Sequence, residues 1–554
     1  MPIEAMSRAP GTNRFKQAVI CLAFILVAAF PFRKGLIDDH IVGAGPDVIS
    51  SLWGMWWFQA TGLSGLSGGE TLLVNYPHGA MGSVLSPSSA ITWAMLEPFV
   101  GVGRASALVA TLQVLGICLG CFILARQARI PFPFPYFAAI VPLVGRHLVF
   151  GVGEASVVAI ANAAFPLGLA ATIAAAEATG KRKHIVFSAF CMIWCALENP
   201  YLAPVLPGLA IVIWFFKATK EGRKRLFLAF IAGVVGIALV AVLFSKGANP
   251  DYPREIDGQK VALFGHLMQV IDLPWARMGF FESFWPGSVQ WTIDSDTGTS
   301  ARGGRYLGLS VVLLALVGLR SSWRQGRAWF LLALSGLVLS MGSLAFGVAF
   351  PFLFVNEIMN AVARPLTQPT RYLILTLVSV SILAAIGLAR LHREKTMTTV
   401  VVALFFVACD ALFMGGMSLK PPLTPMPEFD CEQKLSGPVL TWPADAIDGE
   451  MGPSQLLQIR HGQAAAHTGI ASWALIENQR AQTLLRGAGF GLGSREINVQ
   501  KLALLGYRHV IVEAGEAHPV LRAGHRLVKP DDSCEGWTLY EIPAQPQKPG
   551  GGVR

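Results

Sequence analysis

Three groups of charged side chains carry the chemistry that this sequence offers. Asp38-Asp39-His40 sets two carboxylates and an imidazole in a row. These are donors that a divalent cation accepts, although neighbours in sequence usually point apart. Asp47 follows the turn-forming stretch Gly43-Ala44-Gly45-Pro46 and precedes Trp53, Trp56 and Trp57, which recur at helical spacing. It therefore stands at a helix start, where unpaired amides favour a carboxylate, and a plain N-cap is one reading of it. Arg364 and Arg371 bracket Pro365-Leu366-Thr367-Gln368-Pro369-Thr370 just ahead of an apolar run, and Arg305 lies at a similar depth before another. Guanidinium forks match phosphate oxygens and stay charged beside lipid, while the same positions also suit snorkelling at a helix end.

Other ionisable groups sit against apolar sequence. Glu154 and Glu198 fall at or near the ends of apolar runs, and Asp410 falls inside one. A carboxyl there is either buried and hydrogen-bonded or functional.

The elements that must hold these groups are membrane spans. Only 14% of the 554 residues are charged and 53% are hydrophobic. That balance excludes a disordered chain, a secreted disulfide scaffold and an ordinary cytosolic enzyme. Apolar runs near the length of about 20 residues that a bilayer core requires occur at 17–32, 104–124, 132–150, 154–176, 185–197, 200–216, 226–244, 306–319, 328–346, 372–389 and 397–416. The expected fold is an α-helical polytopic membrane protein with eleven transmembrane helices.

The net charge of +10 has a definite location. Residues 418–554 carry 13 Lys/Arg and 14 Asp/Glu, so the first 417 residues hold the whole basic excess. In that part, alternate connections hold Arg8, Arg14, Lys16; Arg126, Arg129; Lys181, Arg182, Lys183; Lys217, Lys220, Arg223, Lys224, Arg225; Arg320, Arg324, Arg327; and Arg390, Arg393, Lys395. Positive loops resist translocation, so these connections and the N-terminus are expected in the cytoplasm. The excess is therefore a topology signal, and no nucleic-acid partner is implied. The placement is the plasma (inner) membrane, with the C-terminal region periplasmic. Residues 17–32 read as an uncleaved first helix, because the run ends in Phe30-Pro31-Phe32-Arg33 without a small-residue cleavage pattern.

Two regions follow. Residues 1–417 form the membrane domain, with long outer segments 33–103, 245–304 and 347–371, and residues 418–554 form a soluble α/β domain after the proline-rich joint Pro421-Pro422-Leu423-Thr424-Pro425. In the tail, Val439-Leu440, Val510-Ile511-Val512 and Trp537 to Ile542 read as strands, and 470–490 and 496–506 as helices. Trp53, Trp56 and Trp57 suggest a helix lying in the headgroup layer, and Ser86-Pro87-Ser88-Ser89 reads as a turn. Six cysteines lie in spans, where Cys118 and Cys121 read as packing residues. Cys431 and Cys534 bracket the tail, and in an oxidising compartment they are expected to form a disulfide.

The order of several short motifs resembles the polytopic glycosyltransferases of the GT-C superfamily, in particular bacterial relatives with a C-terminal soluble domain. The motifs are the Gly-Pro-Asp turn before an aromatic helix and Asn75-Tyr76-Pro77-His78-Gly79; Gly153-Glu154-Ala155-Ser156 with Phe165-Pro166-Leu167; Glu198-Asn199-Pro200-Tyr201; Tyr306-Leu307-Gly308; Arg364 to Tyr372; and Arg460-His461-Gly462-Gln463 in the tail. The resemblance implies transfer of a sugar from a polyprenyl-phosphate donor to an envelope acceptor on the outer face, with inversion. It assigns Asp47 as the base, with Asp38 and Asp39 in reserve. Arg364, Arg371 and Arg305 would bind the donor phosphate, and Glu154 and Glu198 would be polar groups of the cavity. The first loop departs from better-defined members in lacking a clear acidic pair. A non-catalytic assembly partner of the same fold, or a transporter of lipid-linked sugars, therefore stands beside the enzyme reading. No metal is assigned, and a divalent cation at Asp38-Asp39-His40 is not favoured. The partners are the lipid bilayer and the lipid-linked sugar.

Overall fold

A computed structural model describes residues 12–44, 46–62, 70–71, 80–81, 86–155, 162–177, 180–245, 255–256, 259–260, 282–284, 305–341, 344–345, 348–349, 369–427, 429, 434–442, 453–464, 496–513, 520–523, 526–527, 532–534 and 537–542. Helix α1 spans Thr12–Ala29 and strand β1 spans Ile41–Val42. Then come α2 (Pro46–Thr61), α3 (Pro87–Val100), α4 (Val102–Gln127), α5 (Phe134–Val144), α6 (His147–Ala155), α7 (Ala164–Ala176), α8 (Arg182–Glu198), α9 (Val205–Phe216) and α10 (Lys220–Ser245). Beyond residue 304 lie α11 (Leu309–Ser321), α12 (Trp323–Ser340), α13 (Leu373–Glu394) and α14 (Met397–Cys409), the last running into a π-turn, Asp410–Met414.

Among the described residues, Val102–Gln127, Thr370–Glu394 and Met397–Ser418 are long and apolar enough to cross a membrane. They do not face lipid equally. Within its most apolar stretch Thr370–Glu394 is 94% buried in the protein, against 28% for Met397–Ser418. Helix α13 is thus the central post of the bundle. Helix α14 lies outside it and turns Val401, Phe405 and Phe406 outward. Small residues let α11 and α13 cross closely. A Cβ on Gly387 would stand 2.1 Å from the Leu314 carbonyl oxygen, and one on Gly318 would stand 2.2 Å from that of Leu383. Backbone approach of this kind suits apolar helices that gain little from hydrophobic burial in lipid.

The connections between the long helices gather at two ends. At one end Arg225 Nε donates to the Ala175 carbonyl at 3.0 Å, and the Phe134 and His392 rings lie 5.5 Å apart. The basic connections collect there. The opposite end, here called the crown, gathers residues 30–44, 86–104, 145–147, 198–202, 305–310, 369–372 and 410–418.

The run at 132–150, expected as one span, is broken in two. Helix α5 stops at Gly145 because the Tyr306-Leu307 backbone passes against it: the Arg146 amide donates to the Tyr306 carbonyl at 2.7 Å, and a Cβ on Gly145 would come within 2.6 Å of that oxygen. The chain restarts as α6.

Segment 33–103 contains more than a loop. Besides β1, α2 and α3 it holds the short helix Arg33–Asp38 and a hairpin of Glu70–Thr71 with Ala80–Met81. The expected turn at Ser86-Pro87-Ser88-Ser89 is the first turn of α3. Proline suits that position because the first helical amides have no partner to lose. Two of the three tryptophans of α2 face protein rather than the surroundings. Trp53 and Trp57 are buried and their rings stack at 6.1 Å, because α2 is covered by α3, by α6 and by a helix of the tail.

In the tail, β2 (Leu423–Thr424) is followed by β3 (Val439–Trp442), α15 (Pro453–His461), β4 (His509–Glu513), β5 (Asp532–Cys534) and β6 (Trp537–Glu541). The order β5-β6-β4-β3 makes one mixed sheet, parallel only between β3 and β4. Leu440, Val510, Val512 and Tyr540 pack on one face and Val439, Ile511, Leu539 and Trp537 on the other, as the strand period requires. Residues 496–498, expected at the start of a helix, form a strand, and the helix that follows is Val499–Leu504. The expected helix at 470–490 lies outside the described residues.

The tail is tied to the first segment. Strand β1 pairs antiparallel with β2, extended by Gly43 N–H to the Pro422 carbonyl at 2.8 Å and by the Thr424 hydroxyl to the Gly43 carbonyl at 2.7 Å.

Candidate functional site

Two acids that could do chemistry at the crown are committed to helix ends. Helix α4 begins after Gly101 and α11 after Gly308, both glycines with positive φ (+88° and +98°), so neither helix has a capping side chain of its own. Remote carboxylates supply the caps. Asp39 Oδ1 accepts the Arg104 amide at 2.8 Å, while the Arg104 guanidinium returns to the carbonyls of Leu36 and Ile37. Asp410 Oδ2 accepts the Ser310 amide at 2.9 Å and its hydroxyl at 2.6 Å, and Oδ1 accepts the Tyr306 phenol at 2.7 Å. The same phenol oxygen accepts the Leu309 amide at 2.7 Å. Negative charge at a helix N-terminus is stabilised by the dipole and the orphan amides, which accounts physically for a carboxylate in the last apolar run.

Arg146 completes this knot. Its Nε donates to the Met414 carbonyl at 2.5 Å and its guanidinium lies 5.8 Å from the Tyr306 ring centroid. Arg305, half-buried, stacks on Phe150 of α6 at 5.3 Å.

A second polar layer surrounds Glu198 at the end of α8. Its Oε1 accepts the Ser88 hydroxyl of α3 at 2.7 Å and the Gln113 amide of α4 at 2.5 Å. Gln113 Oε1 in turn accepts the Ala163 amide at 3.2 Å. Beside it, Asn199 donates to Asn162 Oδ1 at 2.8 Å and accepts the Tyr201 amide at 3.1 Å, which fixes the short turn Pro200–Leu202. That turn presents the Tyr201 ring to Arg371, whose guanidinium sits 5.1 Å from its centroid, and Tyr372 meets the same ring edge-on at 6.0 Å.

Asp47 is the second residue of α2, and Glu154 lies in α6, the helix packed against α2. Their side chains, like that of Cys534 on β5, fall outside the described residues. Arg364 and Cys431 fall outside them entirely. Of the expected residues, Glu198, Arg305 and Arg371 lie at the crown, each in contact with a neighbouring segment. Asp38 and Asp39 do not converge with His40 on a common point: Asp39 faces α4, and the His40 Nδ1–H donates to the Asp38 backbone carbonyl at 2.8 Å. Among the described residues no group of three or more His, Cys, Asp or Glu side chains is placed to hold a metal ion.

No family model matches the chain, and no characterised protein matches it by sequence. Its fold has counterparts. The structure of the mycobacterial arabinofuranosyltransferase AftD superimposes with a TM-score of 0.56 at 13% identity, over 97% of this chain and 40% of that one. The chain has the GT-C fold. A variant of AftD gives a TM-score of 0.53 at 13% identity, over 97% of this chain and 42% of that one. ArnT from Cupriavidus metallidurans, bound to undecaprenyl phosphate, gives 0.48 at 14% identity, over 95% of this chain and 99% of that one. The chain spans about two fifths of the length of AftD.

Sequence reasoning placed Tyr201 and Tyr306 in short motifs without giving either a partner, and it did not single out Gln113 or Gln458. Neutral amides inside or beside apolar runs give no charge signal. Only the glycines ahead of α4 and α11 hinted that those helices needed caps from elsewhere.

Proposed function

We propose that this chain transfers a sugar from a polyprenyl-phosphate-linked donor to an envelope acceptor on the outer face of the plasma membrane. The observation that carries the reading is the GT-C fold over 97% of the chain. Eleven spans cross the bilayer, the basic connections face the cytoplasm and the crown faces outward, as the positive-inside rule demands.

In the reaction the acceptor hydroxyl oxygen forms a bond to the anomeric carbon from the side opposite the phosphate. The bond from that carbon to the phosphate oxygen breaks, the phosphate keeps the electron pair, and Asp47 takes the hydroxyl proton. Arg371, with Arg364 and Arg305, stabilises the charge developing on the phosphate. Arg371 is suited to this by its half-buried place beside the Tyr201 ring and by a fork of donors that matches phosphate oxygens. Glu198 and Glu154 shape the polar wall. The tail is an extracytoplasmic α/β domain over 418–554, with Cys431 and Cys534 joined as a disulfide. Peptide mapping before and after reduction tests that bond.

The decisive experiment compares envelope glycans and lipid-linked sugars, by mass spectrometry, in a deletion strain carrying wild type or Asp47→Asn. Wild type should restore a missing sugar, and the variant, inserted at equal level, should let the lipid-linked donor accumulate. Full restoration by Asp47→Asn removes Asp47 as base. A non-catalytic assembly role then takes its place, a reading supported by the commitment of Asp39 and Asp410 to helix caps.

A further inference from the structure

The tail holds the first segment at two points, and Asp47 lies between them. Upstream, Gly43 is bonded through both its amide and its carbonyl to Pro422 and Thr424, four residues before Asp47. Downstream, six residues after Asp47, the Trp53 indole N–H donates to Gln458 Oε1 of α15 at 2.7 Å. Both side chains are fully buried. Gln458 is itself oriented from within the tail, since its Nε2 donates to the Gln463 carbonyl at 2.9 Å and the Ala464 carbonyl accepts the amide of Val439 on β3. A rigid path therefore runs from the tail sheet through α15 to the middle of α2. Six helical residues rise about 9 Å, so a shift of α15 is passed directly to the head of that helix.

We propose that Gln458 and Trp53 are positioning residues: the tail, through this hydrogen bond and the β1–β2 ladder, sets the place of the α2 head and of Asp47. The inference rests on the transfer reading only for its kinetic consequence. The mechanical coupling stands apart from it.

Two measurements on the full-length protein test the proposal. In the first, Asp47→Cys is labelled with a membrane-impermeant maleimide, alone and combined with Gln458→Leu or Trp53→Phe, and labelling at position 47 is quantified by peptide mass spectrometry. Loosening of the α2 head should change the labelling rate several-fold in both combinations, read at a temperature well below the melting point of each variant. An unchanged rate overturns the coupling, whatever the protein catalyses. In the second, transfer rates are compared for Trp53→Phe, Gln458→Leu and the double variant. Misplacement of a reacting group far from the mutation lowers kcat by roughly ten- to a hundredfold, with donor KM little changed. The double variant should be no worse than the worse single one, because both remove the same bond. Additive losses, or a loss confined to KM, overturn the positioning role. A wild-type chain that transfers nothing defeats the proposed function and leaves the labelling result to decide the coupling.

Discussion

The Arg371 guanidinium lies 5.1 Å from the centre of the Tyr201 ring, across a turn that Asn199 locks from behind. A ring face attracts a cation by about 0.5–2 kcal/mol, more where water is excluded. The pair joins the turn after α8 to the turn before α13 and holds the arginine in place.

Replacing the ring should therefore matter more than removing its hydroxyl. Tyr201→Phe keeps the cation over a π-face, and donor KM should stay within about twofold. Tyr201→Leu removes roughly 1 kcal/mol of orientation and should raise donor KM about fivefold with kcat less affected. Steady-state kinetics with a lipid-linked donor distinguish the two variants, and equal KM values for both would show that the ring does not serve Arg371.

Asp410 tests the capping account. It accepts three hydrogen bonds, two of them from Ser310. Asp410→Ala leaves the buried Tyr306 phenol unpaired, at about 1–3 kcal/mol, and the half-buried Ser310 hydroxyl and amide at less. Asp410→Asn keeps one acceptor and turns a donor toward the other partners. Thermal unfolding in detergent should rank wild type above Asp410→Asn and Asp410→Asn above Asp410→Ala. A melting temperature unchanged in Asp410→Ala would mean that α11 does not depend on this cap.

Glu198 gives a sharper contrast. Its Oε1 accepts from Ser88 and Gln113, and the Trp194 indole and the Ala164 amide also face the carboxyl. Glu198→Gln preserves the acceptor that Ser88 and Gln113 use and should cost less stability than Glu198→Leu. Glu198→Leu strands Ser88 and Gln113 and should cost about 1–3 kcal/mol per group. Melting curves of the two purified variants decide it, and equal destabilisation by both would locate the contribution of Glu198 in its charge.

The tail carries an acid-sensitive group. His461 is buried beside Phe429, its Nδ1 accepts the Gln463 amide at 3.0 Å, and burial lowers its pKa from the usual 6.5 to about 3. Below pH 6.5 the unfolded chain binds a proton that the folded tail refuses. This contribution to stability is therefore complete above about pH 6.5 and shrinks as pH falls, by about 2 kcal/mol at pH 5. Denaturation at pH 7.5 and pH 5 should show the loss in wild type and a smaller one in His461→Gln. An equal loss in both would place the sensitivity elsewhere.

The helices of the bundle were legible because apolar runs and basic turns are long-range averages that survive local irregularity. The crown was not, because its order comes from contacts between distant segments. Asp410 was readable as a buried, hydrogen-bonded carboxyl, but nothing in the sequence named Tyr306 and Ser310 as its donors. Trp53, Trp56 and Trp57 announced a helix correctly, and their amphipathic rings pointed to lipid. The cover supplied by α3, α6 and α15 could not be inferred from local pattern. Pro87 marked a boundary, and sequence alone does not separate a turn from the first turn of a helix.

The Trp53 to Gln458 bond spans 405 residues of sequence. During synthesis the N-terminal segment is made long before its partner exists, and contacts of such separation form late. Strand β1 and helix α2 must wait, with an unpaired strand edge and unburied tryptophans, until the last span has been inserted and the tail has folded. The hold on the head of α2 is completed last, so a chain stopped short of residue 458 could form the Glu198 and Asp410 contacts and would lack this one.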